Sequence, residues 1–234
     1  MYDPPVLYDT FTDINGTILS NHAPEINVAG GGWKQIFQSG TKNIVTVNGK
    51  ASLTSITATT ITGAIVNAGV TNYKFSGKIK LKGTADNVFF RSDSTRQQFM
   101  QINFLPSSSA MVLYVQQSIG FSELARVSVS LSVGVEYPFE IIVNRNVISI
   151  TVNGVTVSIE SALLEQNTWV GILCFGSEGT TQAYDDFKVE PVSKLPVYVT
   201  PENIYVVKYE NRVLEPGRTL DFIVPSEQRT LYVR

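Results

Sequence analysis

The chain has 234 residues, 43% of them hydrophobic and 16% charged, with a net charge of −2. That length suits one large all-β domain, or one domain with a small appendage. The near-zero balance gives no broad positive field, which excludes nucleic-acid binding as a main role, and no apolar run reaches membrane-spanning length. Charged residues fall below the usual share of about a quarter, so Ser, Thr, Asn and Gln must carry much of the polar surface.

Taken in chain order, Met1-Tyr2-Asp3-Pro4-Pro5 has neither a basic n-region nor an apolar h-region. Cytosolic synthesis of a soluble protein without a signal peptide is therefore expected. Residues 1–7 read as an extended arm. Gly30-Gly31-Gly32 precedes Trp33, which opens a strand; with no Lys-Ser/Thr following, the glycines read as a tight crossing of backbones, not a phosphate cradle. Residues 44–47 and 50–53 flank Asn48-Gly49, a tight-turn dipeptide. The Thr-rich run 52–62 is strand-like, and its hydroxyls could pair with a neighbouring subunit or a glycan, though β propensity alone explains it. Strands are predicted at 73–81, 87–91, 99–104, 111–116 and 125–131. A hairpin follows, with 139–143, then 147–152, the Asn153-Gly154 turn, and 155–159. Residues 160–166 offer at most a helical turn, and 169–175 and 183–189 complete the set. Cys174 is the single cysteine and reads as a small buried hydrophobe; no intramolecular disulfide can form.

About a dozen strands joined by short turns predict an all-β sandwich of two antiparallel sheets, or jelly roll, over residues 8–190. Pro191 and Pro196 bound a linker at 191–196. Residues 197–234 read as a small β appendage for attachment or oligomerisation. Its end is written twice, as Arg218-Thr219-Leu220-Asp221-Phe222-Ile223-Val224 and Arg229-Thr230-Leu231-Tyr232-Val233-Arg234. Two short strands cannot bury their apolar sides alone. Leu220, Phe222, Val224, Leu231 and Val233 are the expected interface faces, with Arg218 and Arg229 at the rim, packing on the preceding domain or on another molecule.

Few residues suggest chemistry. Glu136 and Glu140 would share a strand face, but Pro138 interrupts that run and no Glu-x-Asp-x-(x)-Glu string exists. Asp185 and Asp186 are adjacent, so in a regular strand they point to opposite faces and cannot act together. Asp13, Asp185 and Asp186 are the candidate calcium ligands; the plainer reading is turn carboxylates. His22 is the only histidine, which excludes histidine-rich metal sites and reads as a loop residue with a local hydrogen bond. Trp33 and Trp169 read as core residues. An exposed Trp33 would instead stack on a sugar ring, which makes it the candidate ligand contact.

Three stretches resemble concanavalin A-like, laminin G-type jelly rolls, the first of them as found in bacteriophage virion proteins. The first is Asp9-Thr10-Phe11-Thr12-Asp13-Ile14-Asn15-Gly16-Thr17 with His22-Ala23-Pro24-Glu25 and Gly31-Gly32-Trp33. It is similar to a "DGT…L…HTPD…GG.W" run, from which Asn15, Ala23 and Glu25 depart. The second is the 147–159 hairpin, and the third is Gly171-Ile172 with Tyr184-Asp185-Asp186-Phe187-Lys188-Val189. The doubled terminus is similar to "VPxExRTxxV" tails of phage structural proteins. The resemblance implies a non-enzymatic virion protein on the particle surface, as capsid decoration or tail accessory. Such a protein would be a homo-oligomer whose terminal β segments hold it to capsid or tail proteins by strand addition. The alternative is a carbohydrate-binding, receptor-recognition module for host glycans; glycoside hydrolysis ranks below both. No cofactor is expected apart from calcium.

Overall fold

The computed structural model describes residues 4–39, 43–53, 60–83, 86–117, 120–176, 182–192, 219–224 and 227–232. The chain divides into two units, Met1–Ser193 and Lys194–Arg234. No α-helix occurs among the described residues, which carry two single 3₁₀ turns, Leu19–Asn21 and Pro106–Ser108. The predicted helical turn is a plain turn at 163–166.

The first sheet runs β14 (Val155–Glu160), β13 (Val147–Val152), β12 (Glu136–Asn144), β7 (Tyr73–Lys80), β16 (Ala183–Pro191), β1 (Leu7–Asp9) and β2 (Ile26–Asn27). The pair β4 (Ile44–Thr46) and β5 (Ala51–Leu53) joins it through β16. The second sheet runs β11 (Gly120–Ser128), β10 (Ala110–Gln117), β9 (Phe99–Leu105), β8 (Asp86–Ser92), β15 (Trp169–Gly176), β6 (Thr60–Asn67) and β3 (Lys34–Ser39). All pairings are antiparallel. The predicted Asn-Gly turns are present: Asn48 and Gly49 have φ of 52° and 69°, and Asn153 and Gly154 have 47° and 75°. Positive φ at both central residues matches the right-handed twist of the flanking strands. In the second unit, β17 (Thr219–Val224) pairs antiparallel with β18 (Glu227–Tyr232), Leu220 opposite Leu231. Arg218 and Val233 lie outside the described residues, as do the side chains of Leu220, Phe222, Val224, Arg229 and Leu231.

Between the sheets lies the core. On β7, strict alternation sends Tyr73, Phe75 and Ile79 inward and Lys74, Ser76 and Lys78 outward. Phe75, Phe139 and Phe187 meet edge to face, with ring centroids 5.1–5.7 Å apart. Gly77 lies under them, where a Cβ would come 2.7 Å from Phe187 and 3.0 Å from Phe139. Cys174 is buried, as the sequence led one to expect, and burial pushes its thiol well up. Arg91 is buried too, and its guanidinium donates to the carbonyls of Ser161 (2.8 Å), Leu163 (2.9 Å) and Arg145.

Three departures from the sequence reading have simple causes. Pro138 does not break β12, because β13 stops opposite Phe139 and leaves Pro138 flanked on one side only. A bulge in β16 between Asp185 and Lys188 resets the alternation, so Tyr184 and Phe187 are both buried and Asp185 and Asp186 are both turned away from the core. Only Gly32 of the glycine run comes near another backbone, where a Cβ would lie 3.5 Å, an ordinary contact distance, from the His22 carbonyl oxygen. A Cβ at Gly30 or Gly31 would meet nothing within 4 Å, and the requirement is their φ of 75° and 81°.

Candidate functional site

Five of the residues that carry the N-terminal resemblance, Asp9, Phe11, Asp13, His22 and Trp33, meet in one knot around the buried Asp9. Asp9 ends β1 and is fully buried. Its Oδ1 accepts from the Phe11 amide (2.7 Å) and meets His22 Nε2 (2.8 Å), and its Oδ2 accepts from the Trp33 indole N–H (2.6 Å). His22 Nδ1 lies 3.3 Å from Asp13 Oδ2. Burial pushes the Asp9 carboxyl up, against the lowering effect of these hydrogen bonds. Burial also pulls the His22 imidazole down, but Asp9 and Asp13 outweigh it and hold its pKa above the ordinary histidine value. Asn15, in the same stretch, ties its loop to the β4–β5 turn by accepting from the Asn48 amide at 2.7 Å.

Trp33 is therefore corrected as a sugar contact. It is 2% exposed, sits against Phe11 and Phe187, and spends its only polar atom on Asp9. No ring face is left for a ligand. Trp169 is half-buried, with the Lys34 ammonium 4.5 Å over its ring.

The three calcium candidates do not converge. Asp13 caps the Ile14 amide (2.7 Å) and faces His22. Asp185 accepts from the Asp186 amide (2.8 Å) and pairs with Lys50 at 3.2 Å, while Asp186 pairs with Lys78 at 2.5 Å. Among the described residues, no group of three His, Cys, Asp or Glu side chains could hold a metal ion. Calcium needs six to eight oxygens, and these carboxylates are each taken by a cation or an amide of the chain.

The outer side of the first sheet holds a different arrangement. A trough of ≈ 870 Å³ crosses five strands, β1, β16, β7, β12 and β13. Along it runs one register row: Tyr8 opposite Lys188, Lys188 opposite Ser76, Ser76 opposite Glu140, and Glu140 opposite Thr151. The depression has a steric origin. Ser76 is the shortest side chain in the row and sits on the central strand, while Lys78, Lys188 and Glu140 stand around it as walls. Pro5 and Tyr8 close one end, and Thr151 and the Asn153-Gly154 turn close the other. Hydroxyl ladders continue the row outward, Thr151 to Thr156 at 2.8 Å and, beside it, Ser149 to Ser158 at 2.7 Å.

Charges in the trough are locally balanced. Lys78 pairs with Asp186, which holds its ammonium pKa above the ordinary value. Lys188 lies 3.2 Å from Glu190, which also receives Lys74 at 2.9 Å. Glu140 is the least engaged carboxylate, 3.8 Å from Lys74. Glu136 is on the same side but pairs with Lys50, so the two glutamates of β12 serve different lysines. Such a surface offers donors and acceptors within reach of one another, and no nucleophile held by a base.

A scan of protein-family models and a search of curated proteins return no match. Solved structures do match. The exoplasmic/lumenal domain of VIP36, in its Ca2+/Man2-bound form, aligns with a TM-score of 0.55 at 10% identity, covering 80% of this chain and 90% of that one. The carbohydrate binding module CBM66 from Bacillus subtilis aligns with a TM-score of 0.51 at 12% identity, covering 68% and 94%. A Bacillus subtilis protein of unknown function with a galectin-like fold gives a TM-score of 0.52 at 11% identity, covering 68% and 88%. The fold is a concanavalin A-like jelly roll. At such identities the likeness is one of fold, and none of these three is described as a virion component.

Glu140 and Asp186, weighed in the sequence for catalysis and for calcium, both line the trough, but nothing in the sequence groups them with Ser76 and Lys188. The trough's lining residues are ordinary outward positions of five separate strands, and no local pattern marks Ser76, Glu140 or Lys188 as neighbours.

Proposed function

We propose that the chain is a non-enzymatic carbohydrate-binding module whose ligand lies in the trough of the first sheet. The observation that carries this reading is the unbroken row of Tyr8, Lys188, Ser76, Glu140 and Thr151 across five strands. It supplies what sugar recognition needs: a concave site with convergent hydroxyl, ammonium and carboxylate groups and an aromatic side chain at one end. The sugar-bound and carbohydrate-binding proteins that share the fold support it. Glycan arrays followed by calorimetry test it. Glu140→Ala and Tyr8→Ala should each weaken binding about tenfold, the equivalent of roughly 1.4 kcal/mol. Phe121→Ala should leave binding unchanged, because that exposed aromatic belongs to the second sheet. Binding lost in Phe121→Ala and kept in Tyr8→Ala would place the ligand elsewhere.

A second reading concerns where such a module works. The two copies of the terminal segment pair with each other as an antiparallel hairpin, and an isolated hairpin of this size is marginal in water. Together with the resemblance of residues 9–33 and of the tail, this supports attachment to other virion proteins on a phage particle, with the jelly roll displayed toward host glycans. Removing residues 194–234 should leave a folded body that no longer co-purifies with particles. Full particle occupancy by the truncated chain would end that reading.

A further inference from the structure

The structure assigns the trough a neutral, linear polysaccharide laid at right angles to the strands, one sugar ring to each strand; this rests on the carbohydrate-binding reading above. Direction comes from the register. The five residues of the row are direct cross-strand partners, so the site repeats at the strand spacing of about 4.8 Å, close to the advance of one pyranose ring in an extended chain. A monosaccharide would meet one or two of these groups. A chain of about five rings would meet all of them.

Neutrality comes from the lining. Two ammonium groups, Lys78 and Lys188, face two carboxylates, Glu140 and Asp186, so the formal charges cancel. Lys78 is already paired with Asp186 and Lys188 with Glu190. A uronic or sulfated chain would have to break those pairs and pass Glu140. A hydroxylated neutral chain only adds hydrogen bonds to them.

The test uses the full chain with neutral β-linked gluco-, manno- and xylo-oligosaccharides of one to seven rings, and oligogalacturonate as the anionic probe. In at least one neutral series, affinity should climb at least tenfold from two to five rings and level off after that. It should change less than twofold between low and physiological salt, because no net charge is neutralised. Ser76→Gln raises the floor at mid-trough on a solvent-facing position. It should cost at least tenfold for five rings with the melting temperature unchanged. Thr151→Ala should weaken five rings more than two. Binding of single rings with no gain on lengthening, or preference for oligogalacturonate, overturns this inference and leaves the carbohydrate-binding reading standing. No binding to any neutral or anionic sugar overturns both.

Discussion

The knot around Asp9 and the trough around Ser76 are two polar constellations of the jelly-roll body that use polarity in opposite ways. In the knot, Asp9, His22 and Trp33 are each less than 5% exposed and each polar contact is made within the chain. Burial makes every one of those bonds obligatory, because an unpaired group there would lose water and gain nothing. In the trough, Ser76, Glu140 and Thr151 are half-buried and face solvent, where water can be exchanged for a ligand at little cost. Asp9, His22 and Trp33, which carry the N-terminal resemblance, are thus spent on holding the fold, and the proposed binding surface is assembled from outward positions of separate strands.

The largest test of that contrast is Asp9→Ala. It leaves the His22 imidazole, the Trp33 indole N–H and the Phe11 amide without their acceptor, and should destabilise the body by roughly 3–5 kcal/mol. Denaturant unfolding measures this, and a loss below about 1 kcal/mol would show that the knot is not obligatory.

Next in size is a pH effect with an upper step from His22 and a lower step from the buried carboxyls. His22 has its pKa raised in the fold, so its contribution is fully present below about 6.5 and is lost as pH rises through the folded value. Asp86 is buried, with its carboxyl pushed up to about 6 by burial against the Gly83 and Lys82 amides and the Lys82 charge. Its sign is the same: ionisation is harder in the fold, so stability falls as pH rises from about 4 through 6. Melting temperature should therefore be higher at pH 5 than at pH 8. Asp86→Asn should shrink the lower step by roughly 2–3 kcal/mol, leaving the part carried by Asp9, whose carboxyl burial also pushes up, and His22→Gln should remove the upper step. A flat profile in the parent protein would refute both assignments.

The trough should yield the smallest stability effects. Glu140→Gln is expected to change stability by no more than about 0.5 kcal/mol, while still weakening glycan binding. Across the Ser149–Ser158 ladder, a double-alanine cycle should give a coupling of about 0.5 kcal/mol or less. Large losses in either would mean that this face is structural after all, and the contrast with the knot would dissolve.

Much of the fold was legible locally. The hairpin of β13 and β14 begins and turns where the Asn153-Gly154 dipeptide and the flanking alternation indicate. The strand predicted at 125–131 is instead β11, Gly120–Ser128, since β-propensity marks a strand's existence better than its ends. The opposite-face expectation for Asp185 and Asp186 failed at a bulge, and a one-residue insertion leaves no mark in an alternation pattern read from one strand alone. Trp33 illustrates the other limit: an aromatic after a glycine run can stack or be buried, and only its Asp9 partner, 24 positions away, decides.

By itself, then, the sequence determined that this is an all-β chain of alternating strands, which side chains of β7 face in and out, and where the tight turns fall. Those properties depend on the period of the strand and on φ preferences of single residues, both local. Only the tertiary structure decided that β7 lies between β12 and β16, and that Tyr8, Lys188, Ser76, Glu140 and Thr151 stand in one row. Strand neighbours and their register are set by how distant segments share one core, so a site built across strands exists only once that core has formed.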